Sequence, residues 1–351
     1  MPPGPVQSGA STLARIPKAE LHVHLEGCLY PMQVVQLAAR HGEKLRYEEV
    51  AARYNANSFP AFLELFKWAT SYLRDPQDYA LLCENPGLHL IAENCVYAEI
   101  TLSVGVMLLR KQNVEANFSA ILDAISRYKQ NSPLRINWIF DAVRQFGPEK
   151  AMEVARLAAQ MKSAGVVAFG LGGDEESLPA SDFRKVFDYA SYEGLHRVVH
   201  AGEMGGPQNV RDAIEILGAE RIGHGIAAIH DESLMDLLIA RQIPLEICPT
   251  SNLRTGALAK LLSSTEPRLG AHPLAQFIAR GVPVTLASDD PAMFRTSLLA
   301  EYTLALAKMG LTSPQLISIA EAAFRHSLLP ATEKQSLLDQ FHSATSKLNR
   351  F

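Results

Sequence analysis

The stretch PKAELHVHLEG, residues 17–27, decides the fold because it carries two signals at once. Apolar and polar residues alternate along it as in a β-strand, and His22 and His24 fall two positions apart. Residues two apart on a strand point to the same face, so the two imidazoles project together. Paired imidazoles fill a core poorly. A strand that presents both needs something for them to hold.

Seven further apolar runs of strand character follow: VYAEITL (96–102), INWIFDAV (136–143), VVAFGLGG (166–173), RVVHAGE (197–203), RIGHGI (221–226), LEICPTS (245–251) and VTLASDDP (284–291). Helical patterns separate most of them. GPEKAMEVARLAAQMKSAG opens on Gly147-Pro148 and stops at Gly165, and NVRDAIEILGAE closes at Gly218. Strand–helix alternation predicts parallel β-structure, and eight such units predict an α/β (β/α)8 TIM-type barrel. A doubly wound open sheet is the alternative, but GLGGDE has neither the dinucleotide nor the P-loop spacing. Residues 26–95 are too many for one connecting helix, so extra helices are expected between strands 1 and 2, forming a lid. The part after Pro291 reads as helices packed outside the barrel. Residues 1–16, rich in Pro, Gly and Ser, read as a flexible leader, and 17–351 as a single domain.

The 351 residues are 48% hydrophobic, enough for a substantial core. Thirty-three basic residues against 37 acidic ones give a formal charge of −4. No basic field for nucleic acid or anionic membrane follows, and there is no apolar run of spanning length. The leader lacks the apolar block of a secretory signal, so a cytoplasmic protein is expected. Cys28, Cys83, Cys95 and Cys248 form no C-x-x-C pair and read as reduced, buried thiols. The sequence carries no sign of oligomeric state.

In barrels of this kind the active site lies at the C-terminal ends of the strands. His22 and His24 end the first run, His200 the fifth, His224 the sixth and Asp289-Asp290 the eighth, with Glu203 three residues after His200. Imidazole and carboxylate donors suit a borderline divalent metal, zinc above all. Zinc lowers the pKa of a bound water toward about 7. Singly, each residue has an ordinary reading: a satisfied core histidine, a helix-capping glutamate, an Asp-Asp-Pro turn. Together they would need coincidental polar endings on four of eight strands. His41, His89, His196, His230, His272, His326 and His342 lie outside strand ends and read as surface or structural residues.

The landmarks PKAELHVHLEG, GLGGDE, HAGE, RIGHG, CPTSN and SDDP, in that order over residues 17 to about 291, resemble the adenosine deaminase family of metal-dependent amidohydrolases. The resemblance implies one zinc per chain and hydrolytic replacement of a purine 6-amino group by oxygen. It implies His22, His24, His200 and Asp289 as zinc ligands, Glu203 as proton donor to the purine ring, and His224 as the group that orients and deprotonates the attacking water. Asp290 and the backbone of Gly173 would hold the ring nitrogens. The paired H-x-E and P-C-x-x-C signature of the nucleic-acid deaminases is absent, since no P-C-x-x-C occurs. No lysine stands in GLGGDE, where binuclear relatives carry a bridging one, so a single metal is expected.

Departures from the family pattern bear on the substrate. Adenosine deaminases usually read HLDG after the first strand, with the aspartate on the ribose 5′-hydroxyl; here Glu26 stands instead, as in adenine deaminases. Gly170 and Gly172 replace larger residues of a D-L-A-G-D-E-like run, which would widen or reshape the pocket. In SFPAFLELFKWATSYLRDPQDY, Phe59, Phe62, Phe66 and Trp68 could cover the substrate while Lys67 and Arg74 meet an anion. An ordinary amphipathic helix explains the same pattern. The segment is similar to that of bacterial members acting on 6-amino-6-deoxyfutalosine, a menaquinone-pathway nucleoside carrying a benzoate in place of the 5′-hydroxyl. That substrate, then adenosine, then adenine is the expected order, with a mononucleotide last. A barrel that binds zinc without catalysis is the non-enzyme alternative.

Overall fold

A computed structural model of the chain describes residues 12–129 and 132–348. Eight strands form one parallel sheet in sequence order: β1 (Lys18–His24), β2 (Cys95–Leu102), β3 (Arg135–Val143), β4 (Val166–Gly172), β5 (His196–Ala201), β6 (Arg221–His224), β7 (Leu245–Ile247) and β8 (Val284–Leu286). The Val23–Asp289 bridge joins the end of the sheet to its start. His24 N–H donates to the Asp289 carbonyl at 2.8 Å, and Asp289 N–H to that of His22 at 3.0 Å. The sheet is therefore drawn round into a nearly closed barrel.

The last three strands are shorter than the runs suggest. After His224 and Ile247, and between Leu286 and Asp290, the chain leaves the ladder, and helices Pro249–Arg254 and Pro291–Phe294 begin at prolines. Proline is preset for the first helical position and has no N–H to give a ladder. His224 thus ends β6 itself, whereas Asp289 and Asp290 sit on the loop that leaves β8.

Between β1 and β2 lie α1 (Pro31–Arg40), α2 (Tyr47–Arg53), α3 (Phe59–Thr70), α4 (Pro76–Leu82) and α5 (Pro86–Ala92). All but α2 carry a proline in the first turn. Asp75 caps α4, accepting from the backbone N–H groups of Gln77 and Asp78 at 2.9 and 3.2 Å. On α3, Phe62, Leu65 and Ala69 are buried, and the Phe62 ring lies 4.8 Å from that of Phe294. This contact ties α3 to the loop carrying Asp289 and Asp290.

Helices Leu298–Lys308, Ser313–Arg325 and Ala331–Leu348 complete the chain, with Ser313–Arg325 packed along β8 and β1. The segment after Pro291 does more than pack outside. Leu328 N–H donates to Glu99 Oε1 at 2.6 Å, and the His326 carbonyl accepts from Arg221 at 3.3 Å, so this turn stoppers the barrel floor. Ile139, Ala168 and Val198 form a small apolar cluster with Leu328. Of the expected leader, residues 1–11 lie outside the described residues; Leu13 and Ile16 are fully buried in the main core.

Candidate active site

β1 holds His22 and His24 on one face, and the sheet brings β5 and the loop after β8 beside it. Donor atoms of His22, His24, His200 and Asp289 all lie within 4.8 Å of one another. His24 Nε2 is 3.2 Å from His200 Nε2, and Asp289 Oδ1 is 3.4 and 3.3 Å from Nε2 of His22 and His24. Glu246 Oε2 sits 2.8 Å from His22 Nδ1, which leaves His22 Nε2 buried, aimed into the cluster and without a hydrogen-bond partner. Burial holds His24 down to about 4 and His200 well below the usual histidine range, so both are neutral. His22 goes the other way, to about 10: burial opposes its charge, but Asp289 and Glu246 outweigh it. The two carboxylates that hold this proton on His22 would also favour a dication. Three imidazoles and one carboxylate, with an orphaned nitrogen among them, fit a divalent metal of the zinc type. Cys248 stands with His224 and Asp289 in an overlapping group, but burial pushes its thiol up, away from the thiolate a metal takes.

His224 and Asp289 both adopt positive φ, 61° and 64°. Such backbone is strained for any residue but glycine and is kept only where surroundings hold it. It sets both residues where their strands end, His224 as the last residue of β6 and Asp289 on the loop after β8. Gly223 has a similar function: a Cβ there would lie 2.7 Å from His22 Cε1.

Glu203 is pinned through its backbone and its side chain. Glu175 accepts from the N–H groups of Gly202, Glu203 and Met204 at 2.6, 2.8 and 2.9 Å, and Thr255 Oγ1 donates to Glu203 Oε1 at 3.0 Å. Burial, reinforced by Asp289 and Glu175, raises Glu203 to about 8, so it carries a proton at neutral pH. His224 Nε2 lies 3.7 Å from Glu203 Oε2 and 3.8 Å from Asp289 Oδ2. Asp290 is pushed well up by burial and by Asp289 beside it, and its Oδ1 has no hydrogen-bond partner. Gly27 makes room for it, since a Cβ there would stand 2.1 Å from that oxygen.

These groups open onto a cavity of about 250 Å³. Gly173, at φ +93°, lies on its floor with His200, Glu203 and Asp290, while Phe59, Phe62, Leu63, Phe66 and Lys67 of α3 form the opposite wall. Phe66 is thus at the cavity, but Trp68 is not among its lining residues: it lies under the Arg53 guanidinium, 4.2 Å away, with Tyr72 at its edge. Two positions along a helix turn a side chain by more than half a circle, which separates Trp68 from Phe66. Arg74 is paired with Glu43 at 3.0 Å. Glu26 lies behind the wall, its carboxylate accepting from Ser103 N–H at 3.0 Å, and Ser103 lines the cavity in its place.

Gly170 and Gly172 do not simply widen the pocket. A Cβ on Gly170 would lie 2.5 Å from Asp141 Oδ1, and one on Gly172 2.9 Å from Oδ2. The space released by β4 is filled by a buried carboxyl from β3, which itself lines the cavity. Sequence reasoning missed Asp141, and likewise Glu246, Asn252 and Thr255. For Asp141 and Glu246 the available signal was a charged residue inside an apolar run, INWIFDAV and LEICPTS, because a buried charge is kept only when something answers it; Asn252 and Thr255 carry no such signal.

The chain matches the profile of the adenosine deaminase family over residues 17–344. It is 37% identical over 339 residues to the aminodeoxyfutalosine deaminase of Streptomyces coelicolor, covering 95% of this chain and 86% of that one. It is 32% identical over 320 residues to the adenine deaminase of Chelativorans sp., covering 91% and 96%. The crystal structure of adenine deaminase from Arthrobacter aurescens superposes with a TM-score of 0.86 at 28% identity, over 94% of this chain and 99% of that one. A nearly closed parallel barrel, a His/Asp cluster at its mouth, a buried glutamate beside it and these likenesses lead to one conclusion: the chain belongs to the adenosine deaminase family and is a hydrolytic deaminase.

Proposed function

We propose that the protein is a zinc-dependent deaminase of a 6-aminopurine nucleoside, releasing ammonia and leaving a 6-oxo group, with 6-amino-6-deoxyfutalosine ahead of adenosine as its substrate. The observation that carries the substrate reading is the cavity lining: Phe59, Phe62, Phe66 and Lys67 share one cavity with His24, His200 and His224. An aromatic 5′ group ending in a carboxylate would find apolar surface and a cation there, and would not need the ribose contact from which Ser103 diverts Glu26. The S. coelicolor likeness supports the same choice.

His22, His24, His200 and Asp289 would hold the zinc, which when bound supplies a Lewis acid and makes water nucleophilic near neutral pH. The chain's own residues do the rest. Glu203, protonated and oriented by Thr255, delivers its proton to the ring nitrogen beside the amino-bearing carbon, so that the ring accepts electrons. Asp290, held in its acid form, donates to a second ring nitrogen, and the Gly173 backbone approaches a third. Phe62 and Phe66 exclude water from the reacting face. The four buried, unpaired cysteines are consistent with a reducing, cytoplasmic setting.

Adenine is the second reading, supported by the relatives of that name and by Glu26. Ammonia release by zinc-loaded protein on aminodeoxyfutalosine, adenosine, 5′-deoxyadenosine and adenine at equal concentration separates the two. A clear preference for aminodeoxyfutalosine is expected. Preference for adenine would remove the nucleoside, and silence on all four with zinc bound would mean a different amine or a non-catalytic barrel.

A further inference from the structure

Behind His224 runs a row of buried polar side chains to which the chemistry above gives no role. Leu274 N–H lies 3.1 Å from His272 Nδ1. His272 Nε2 is 3.2 Å from Asn252 Oδ1, and Asn252 Nδ2 is 3.1 Å from His224 Nδ1. His272, Asn252 and His224 are all buried.

A backbone N–H can only donate, so His272 Nδ1 accepts and bears no proton. The single N–H of that ring is then on Nε2 and donates to Asn252 Oδ1. The amide is oriented by this contact, because the reverse placement would set Asn252 Nδ2–H against His272 Nε2–H, two donors face to face in a buried site. Asn252 Nδ2 therefore donates to His224 Nδ1, which must accept. One neutral ring hydrogen remains for His224, and it lies on Nε2, the atom that faces Glu203 and Asp289. Burial also pushes His272 down to about 3, in keeping with its neutral form.

We infer that His272 and Asn252 are positioning residues that hold His224 in its Nε2–H tautomer, so that His224 donates a hydrogen bond to the attacking oxygen and does not take its proton. This rests on the deaminase reading above and revises the role that the family resemblance implies for His224. As the oxygen bonds to the purine carbon, its O–H bond breaks toward the second carboxylate oxygen of Asp289, 3.8 Å from His224 Nε2. The relay starts from a backbone amide, which no change of pH can reverse.

The full-length, zinc-loaded protein labelled with 15N-histidine tests this directly. Long-range proton–nitrogen spectra, with His224 assigned by its loss in His224→Gln, should show a bare Nδ1 and a protonated Nε2. A protonated Nδ1 in the wild type would overturn the relay. Asn252→Asp then keeps the shape but offers His224 Nδ1 an acceptor, drawing the hydrogen to Nδ1 and leaving Nε2 bare. Turnover should fall about 10²–10³-fold, the loss typical of one donor at a developing oxyanion, with KM and zinc content unchanged. Near-wild-type turnover with His224 flipped would mean that it acts as a base, and the inference would be wrong. A wild type that binds zinc but releases no ammonia would fail the deaminase reading alone, since the spectra judge the tautomer without it.

Discussion

The two ends of the barrel treat charge in opposite ways. At the mouth, burial drives groups toward neutral forms: His24 and His224 fall to about 4 and about 3, while Glu203 and Asp141 rise to about 8. Beneath it, charges persist because they are paired. Arg221 Nε is 2.6 Å from Glu246 Oε1, its other nitrogens reach Glu99 and the Leu21 carbonyl, and all three ions are buried. Against the cost of burial, Arg221 and His22 hold Glu246 below its ordinary range. His22 links the two ends, with Nδ1 on Glu246 and Nε2 in the metal cluster. The floor is closed electrostatically, and the mouth is left short of partners that a metal and a substrate would supply.

The sharpest way to break this contrast is at Glu203. Glu203→Gln should lower turnover about 10²–10⁴-fold, the range for loss of a general acid, while zinc content measured on the same sample stays near one per chain. Retained activity would remove Glu203 as the acid. On the floor, Arg221→Met leaves Glu99 without its cation and Glu246 with His22 alone, and should cost about 3–5 kcal/mol of stability, read from the urea midpoint. A cost near zero would mean that water reaches the floor and that it is not closed as described.

The pH profile addresses the mouth without a mutation. Glu203 must carry its proton to act and titrates at about 8, so kcat/KM should hold below that value and decline as pH rises through it. A decline centred near the ordinary glutamate range would contradict the burial effect. The smallest effect is expected at Lys67, which is largely exposed and shared with Glu64 at 3.0 Å. Lys67→Ala should raise KM for aminodeoxyfutalosine by no more than about fivefold, as for an exposed ion pair, and leave adenosine unchanged. An equal change for both would place Lys67 outside the 5′ pocket.

The wall offers a second lesson. Read as an amphipathic helix, α3 shows which residues share a face, yet Phe66 and Trp68 ended on different surfaces because only the barrel says which face is inward. Gly170 and Gly172 mislead in the same way: a missing side chain looks like empty space until the neighbouring strand is known to send Asp141 into it.

By itself the sequence determined the barrel and the residues at its strand ends, because strand periodicity and the clustering of ionisable residues there are local signals. Which partner each ionisable group meets was decided by the tertiary structure. Glu246 reaches His22 from 224 positions away, Glu99 reaches Arg221 from 122, and His272 sets Asn252 from 20. No local pattern encodes such pairings. They arise because closing the sheet forces buried polar atoms at distant positions into one dry interior, where each must find a counterpart.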